Sequence, residues 1–225
     1  MGTDSYRAEF EAWWESENTG LGTSYKLTAW NAYLSAALRH EGVIYMGCDS
    51  AGVGGWYSRQ NRVDPKIYRV KDMLIGFTTS FRMGQLLGYS LTPPHHHVDV
   101  PIEKYMATTF VNAVRECLKA GGWATKDKEV ESGGIFLVAY KGRIFEIQAD
   151  YQVAEGEEPY NAVGCGQDLA LGSLFTSERS VLGSGDHASI ARARVEAALQ
   201  AAAAFSAGVH PPFRIEELKS AEPAK

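Results

Sequence analysis

The sequence predicts an α+β fold in four layers: two stacked, mainly antiparallel sheets with helices covering both outer faces (αββα). Three observations predict it. Apolar segments come in pairs around short polar turns, "AYLSAALR" with "VIYMGC", "KIYRV" with "MLIGFTT", and "GIFLVAY" with "RIFEIQ", and hairpins of this kind build antiparallel sheets. The order along the chain is strands, two helices, strands, two helices, strand. Both strand blocks are strongly apolar, as sheets that stack on each other and carry helices outside must be.

The elements follow in order. Tyr6, Phe10, Trp13 and Trp14 recur at helical spacing with acids between them, so the N-terminal stretch reads as an amphipathic helix capped by Asp4 or Ser5. "ENTGLGTS" (17–24) is a linker, and residues 1–31 form an extension ahead of the main domain at 32–217. The first hairpin turns at His40-Glu41-Gly42, and "AGVGGWYSRQN" reads as a Gly-rich loop. The second turns at Lys71-Asp72. From Ser80, "SFRMGQLLGYSL" is helical with Phe81, Leu86, Leu87 and Leu91 on its apolar side, and "TPPHHHVDVP" ends it.

"IEKYMATTFVNAVRECLKAGG" is the clearest helix, with Ile102, Tyr105, Met106, Phe110, Ala113, Val114, Cys117 and Leu118 on one face and Gly121-Gly122 at its end. A further hairpin turns at Lys141-Gly142. "YNAVGCG" is a strand running into the helix "QDLALGSLF", an Ala-rich helix spans about 186–207 behind Ser184 or Asp186 as cap, and "FRIEEL" is the last strand before a polar tail at 218–225.

Composition narrows the function. The 225 residues suffice for one sizeable core, and 45% hydrophobic with 22% charged residues is ordinary for a globular domain. A net charge of −5 with scattered Lys and Arg speaks against nucleic acid and against a membrane surface. Three cysteines, Cys48, Cys117 and Cys165, with no close pair, suggest free thiols in a reducing cytoplasm. The N-terminus lacks the basic and apolar regions of a secretory signal, and "MGTDSY" has Tyr6 where a myristoylation signal needs Ser or Thr.

Three local patterns carry a resemblance. "GVIYMGCDSAG" puts Asp49-Ser50 at the end of an apolar strand, "RVDPKIYRVKDMLIGFTTS" carries Lys66 ahead of a glycine-bearing strand and turn, and "YNAVGCGQDLALGSL" is a strand-to-helix turn of GCG type. In this order and spacing, over about residues 32–217, the chain resembles the proteasome β-subunit family of N-terminal-nucleophile (Ntn) hydrolases. The small bacterial and phage proteasome-like proteins are the nearest in character. The extension ahead of the sandwich is architecturally similar to that of the non-catalytic α-subunits, whose N-terminal motif is absent.

The resemblance implies a mechanism. In that family the first residue of the mature chain, nearly always Thr, attacks with its hydroxyl, and its own α-amine is the base. An α-amine titrates near pH 8, close to working pH. A lysine ammonium lowers the pKa of the attacking group, and an aspartate holds the lysine charged and oriented. The matching residues are Lys66 and Asp49. Ser80 stands where a glycine offers its N–H to the oxyanion, and Cys165 replaces a serine, with Gln167 within reach of it. The acid of the last helix region has no counterpart, and Ser206 is the nearest polar residue.

The nucleophile does not match. Counted back from Asp49 through an equal-length hairpin, its position falls on Tyr33, whose oxygen lies several bonds too far out for the compact amine–hydroxyl arrangement. Three hydroxyls are alternatives. Ser35 shares a face with Tyr33 but sits two residues, about 7 Å, nearer the turn. Thr28 lengthens the strand by five residues, and Thr23, after Gly22, by ten.

His95-His96-His97 with Asp99 reads as a solvated loop, because consecutive imidazoles do not readily surround one tetrahedral ion. "GVGG" and "GCG" lack the Lys-Ser/Thr of a phosphate loop, and "GDHAS" is a helix cap. No cofactor and no metal is expected. The resemblance implies a protein that self-assembles in a ring or a pair of rings, with an ATPase unfoldase as a possible partner. It leaves two functions: a subunit without a working nucleophile, or a self-processing threonine/serine peptidase acting on peptides or unfolded protein.

Overall fold

The computed structural model describes residues 34–54, 58–127, 130–180 and 186–220. The N-terminal helix, its linker and the positions Tyr33, Thr28 and Thr23 lie outside them. In chain order the first strands are β1 (Leu34–His40), β2 (Val43–Cys48), β3 (Ala51–Gly54), β4 (Ser58–Asn61), β5 (Ile67–Val70) and β6 (Met73–Phe77). Helix α1 (Phe81–Tyr89) follows. Then comes a helical run, α2, made of Ile102–Lys104, a π-helical turn Tyr105–Phe110 and Val111–Ala120. Strands β7 (Thr125–Asp127), β8 (Val130–Ser132), β9 (Phe136–Tyr140), β10 (Arg143–Ile147), β11 (Val153–Ala154) and β12 (Tyr160–Gly164) lead to helices α3 (Gln167–Arg179) and α4 (His187–Phe205). Strand β13 (Arg214–Lys219) is last.

Two large sheets form among the described residues, one in the order β12-β1-β2-β13 and the other β11-β10-β9-β6-β5, and their neighbouring strands are antiparallel throughout. The central hairpins turn through paired positive φ angles, 48° and 76° at Glu41-Gly42 and 46° and 73° at Lys141-Gly142. This primed turn geometry matches the strands' right-handed twist.

Strand alternation sorts the side chains into three apolar layers. Tyr68, Ile75, Phe77, Val138 and Phe145 pack under α1 and α2. Leu34, Ala36 and Leu38 pack under α3 and α4 with Val195, Ala198 and Leu199. Ala37, Ile44, Met46, Cys48, Leu74, Leu137 and Val163 fill the space between the sheets. Each large apolar side chain so buried contributes about 1.5–3 kcal/mol. These three interfaces are the αββα sandwich that the sequence predicts.

The helices end and bend for local reasons. Ser80 caps α1 by accepting the Arg82 N–H at 3.1 Å, and of the two possible caps for α4 it is Asp186 that accepts the Ser189 N–H at 2.9 Å. In α2 the buried residues Met106, Phe110, Val114 and Leu118 recur every four positions. A regular α-helix drifts about 40° at each such step, and the π turn at Tyr105–Phe110 keeps the stripe against the sheet.

The structure corrects the reading in two places. "AGVGGWYSRQN" is not a plain loop, because β3 and β4 pair within it, Ala51 with Asn61 through Gly54 with Ser58. Glycine's low strand propensity hid it, yet Gly52 is what lets Arg62 lie against the strand: a Cβ there would stand 2.6 Å from Arg62 Cδ. A second small hairpin, β7–β8, follows α2 at Thr125–Ser132, where the sequence is too polar to show apolar alternation.

Candidate active site

The site is assembled where the two sheets meet. Strand β2 ends at Cys48, and the chain turns so that Asp49 points back across the start of β1. Its carboxylate accepts four hydrogen bonds. Oδ1 takes the Leu34 N–H at 3.1 Å and Lys66 Nζ at 2.6 Å; Oδ2 takes the Ala51 N–H at 2.8 Å and the His210 N–H at 3.2 Å. Neither the Asp49 nor the Lys66 side chain touches solvent. Lys66 is delivered from the other sheet, just ahead of β5, with its carbonyl accepting the Phe77 N–H at 3.1 Å. The ion pair therefore bridges the two sheets.

The segment after α4 locks this corner. The Ser50 N–H donates to the His210 carbonyl at 3.0 Å, and Ser50 Oγ to the Pro212 carbonyl at 2.5 Å. Burial pulls the Lys66 ammonium below the ordinary lysine range, and the charge and hydrogen bond of Asp49 oppose that shift. The adjacent Cys48 thiol, wholly buried, is pushed up to about 12, chiefly by desolvation. Beside the pair, Lys66 Nζ lies 5.8 Å from the Phe81 ring centroid and the Arg62 guanidinium 3.9 Å from it, with Arg62 Nε on Asp64 at 2.8 Å.

Asp49 and Lys66 are thus brought together as the sequence predicts. Ser35 points the same way as the inter-sheet residues. It is fully buried, and its hydroxyl donates to the Phe77 carbonyl at 3.1 Å beneath Gly76. The Ser80 N–H, which the resemblance aims at an oxyanion, donates instead to the Thr78 carbonyl at 2.8 Å. This closes a three-residue turn around Thr79 at φ 71°, a left-handed value that is strained for a β-branched residue. Thr79 Oγ1 holds the turn by accepting the Ile135 N–H at 3.1 Å.

Cys165 lies in the turn between β12 and α3 and is exposed. Ser206 Oγ stands 3.5 Å from its carbonyl oxygen and 3.6 Å from its Sγ. Its thiol is raised, first by desolvation; Ser206 lowers it, and Asp49 and Lys66 act in opposite directions. Gln167 Oε1 accepts the Gly164 N–H at 3.3 Å.

Sequence reasoning missed His210 and Arg62. His210 acts through its backbone N–H, which leaves no trace in residue type. Arg62 differs from any surface arginine only by its place four residues before Lys66.

The corner offers no cation site, since both carboxylate oxygens already face two donors each. In the His95–His97 loop, His96 has Nδ1 3.0 Å from the Tyr140 hydroxyl and Nε2 2.7 Å from the Val100 carbonyl, and it stacks on Tyr105 at 4.3 Å. Both of its nitrogens are engaged, so it helps to anchor the loop. What the corner supplies is a fixed, desolvated ammonium, able to lower the pKa of a neighbouring hydroxyl or to stabilise negative charge.

No family model and no curated protein sequence matches the chain. Solved structures do. The chain is similar to BPH from Thiobacillus denitrificans, solved in complex with epoxomicin, with a TM-score of 0.67 and 22% identity over 84% of this chain and 100% of that one. It is similar to the eukaryotic HslV from Trypanosoma brucei, with a TM-score of 0.56 and 18% identity over 83% and 99%. It is also similar to Anbu, the ancestral beta-subunit from Yersinia bercovieri, with a TM-score of 0.58 and 15% identity over 84% of each. The chain shares the proteasome-type Ntn-hydrolase fold of these proteins.

Proposed function

We propose that this protein is a proteasome-type subunit that has kept the lysine–aspartate corner of the active site and lost the nucleophile, and that it acts by assembly. One observation carries this reading. The Leu34 N–H donates to Asp49 Oδ1 at 3.1 Å, which fixes the register of β1 on the corner, and in the sequence the residue before Leu34 is Tyr33. A phenol there replaces the compact hydroxyl and α-amine that the mechanism needs. The occupied Ser80 N–H supports the same reading, because an oxyanion would have to displace an existing hydrogen bond.

Self-association fits the outer surface. Phe175 on α3 is 51% exposed and Phe205 at the end of α4 is 81% exposed, on the helical layer through which stacked subunits of such a fold would meet. In the described residues no helix is long and apolar enough to cross a membrane.

The buried Asp49–Lys66 pair also favours a second reading, a self-processing peptidase that uses Ser35, Thr28 or Thr23. Intact mass after prolonged incubation, with and without epoxomicin, separates the two. The full-length value of 24.6 kDa, unchanged and without adduct, is the expected result. A shortened chain beginning at Ser35, Thr28 or Thr23, or a covalent epoxomicin adduct, would establish the peptidase.

A further inference from the structure

At the end of the central hairpin remote from Asp49, three side chains capable of binding a metal converge. We propose that His40, Glu41 and His187 form a site for a divalent transition metal, zinc being the ion their chemistry suits best. One ligand atom from each lies within 4.8 Å of the others. His187 Nδ1 is already 3.1 Å from Glu41 Oε1. Around a tetrahedral ion with bonds of about 2.0–2.1 Å, donor atoms stand about 3.3 Å apart. One edge of the tetrahedron is therefore set, and the widest gap closes by about 1.5 Å through side-chain rotation.

A second observation points to a ligand. His40 Nε2 is shielded from solvent and has no hydrogen-bond partner among the described residues. A buried imidazole nitrogen without a partner is costly, and a metal ion satisfies it. The His40 and His187 rings lie 5.6 Å apart and tilted by 30°, so the two imidazoles are direct neighbours. Two imidazoles and one carboxylate select zinc, copper or nickel over magnesium or calcium, which take oxygen ligands.

The charge balance allows a cation. His187 opens α4, whose N-terminus carries positive dipole charge and opposes metal binding. Glu41 and the capping Asp186 bring two negative charges to the same place. With β1 about 20 Å long, the site is far from the Asp49–Lys66 corner. The ion's role is to pin α4 to the β1–β2 turn, and three protein ligands leave one position open. The sequence gives no hint, because His40 and His187 are far apart in the chain.

The test is calorimetric titration of tag-free full-length protein with Zn2+, in a His95→Ala/His97→Ala background that removes the competing loop histidines. One equivalent per chain is expected, with a zinc-dependent rise in Tm. His187→Ala, at a side chain 66% exposed, should weaken binding at least tenfold and abolish the Tm rise while the circular dichroism stays native. If His187→Ala fails to fold, Glu41→Gln decides by the same criterion. No zinc uptake by the background protein, or unchanged affinity in the folded variant, overturns the proposal.

Discussion

Asp49 Oδ1 and Lys66 Nζ lie 2.6 Å apart, with neither side chain reached by solvent, and they come from different sheets. Removing two charges from water is expensive, and here Asp49 is offset by three backbone N–H donors besides the ammonium. Removing one partner leaves the other charge stranded. Lys66→Met is expected to destabilise by about 3–5 kcal/mol. Adding Asp49→Asn should recover part of that loss, since the remaining group is neutral. Urea unfolding of the two single variants and the double variant gives the coupling, and additive effects would contradict this account of the corner.

How far the sequence reaches follows from the kind of signal each feature leaves. Strands β1, β2, β5, β6, β9 and β10 are apolar runs bounded by turn residues, so pattern alone finds them. Asp49 and Lys66 show because a charge beside an apolar strand is conspicuous. The β3–β4 hairpin does not show, since glycine and polar residues carry its ladder. His210 is invisible for another reason: it contributes a main-chain N–H, which nearly every residue possesses. The use of the Ser80 N–H depends on a turn conformation at Thr79 that no residue preference favours.

Two helical glycines should respond oppositely to the same change. At Gly84 in α1, an added Cβ would stand 2.1 Å from Phe77 Cε1 and 2.2 Å from its Cζ, inside a fully buried ring. Gly84→Ala is expected to cost about 1–3 kcal/mol through overpacking between α1 and β6. At Gly172 in α3 nothing lies within 4 Å of the added carbon. Gly172→Ala should therefore stabilise by about 0.4–1 kcal/mol, by restricting the unfolded chain. Chemical denaturation of both variants checks the pair of signs.

Cys48 predicts a pH dependence. Its ordinary thiol value of 9.0 is pushed up to about 12 in the folded protein, chiefly by desolvation. Between these values the folded state holds a proton that the unfolded state has released. The stability this thiol contributes is complete below pH 9.0 and is lost as pH rises toward about 12, at up to about 1.4 kcal/mol per pH unit. Unfolding free energies of the native chain and Cys48→Ala, compared at pH 8 and pH 10, should show the shallower decline in the variant. Alkylation of the folded protein should label exposed Cys165 first and leave Cys48 intact.

Ser35 separates a structural hydroxyl from a catalytic one. It faces the inter-sheet space one residue inside the start of β1, fully buried, donating to the Phe77 carbonyl at 3.1 Å. Gly76 lies directly across from it, and a Cβ added there would meet Ser35 Oγ at 3.2 Å. A nucleophile needs an open approach for a carbonyl carbon, and this hydroxyl is enclosed by the opposite sheet. Ser35→Ala is expected to cost about 1 kcal/mol, the usual net worth of such a hydrogen bond, and to leave the chain length unchanged. Ser35→Cys keeps a weak donor of similar size and should cost less. Mass spectrometry and urea unfolding on both variants provide the readout. A native chain that is cleaved before Ser35, and a Ser35→Ala chain that is not, would make Ser35 the nucleophile and reverse the assignment.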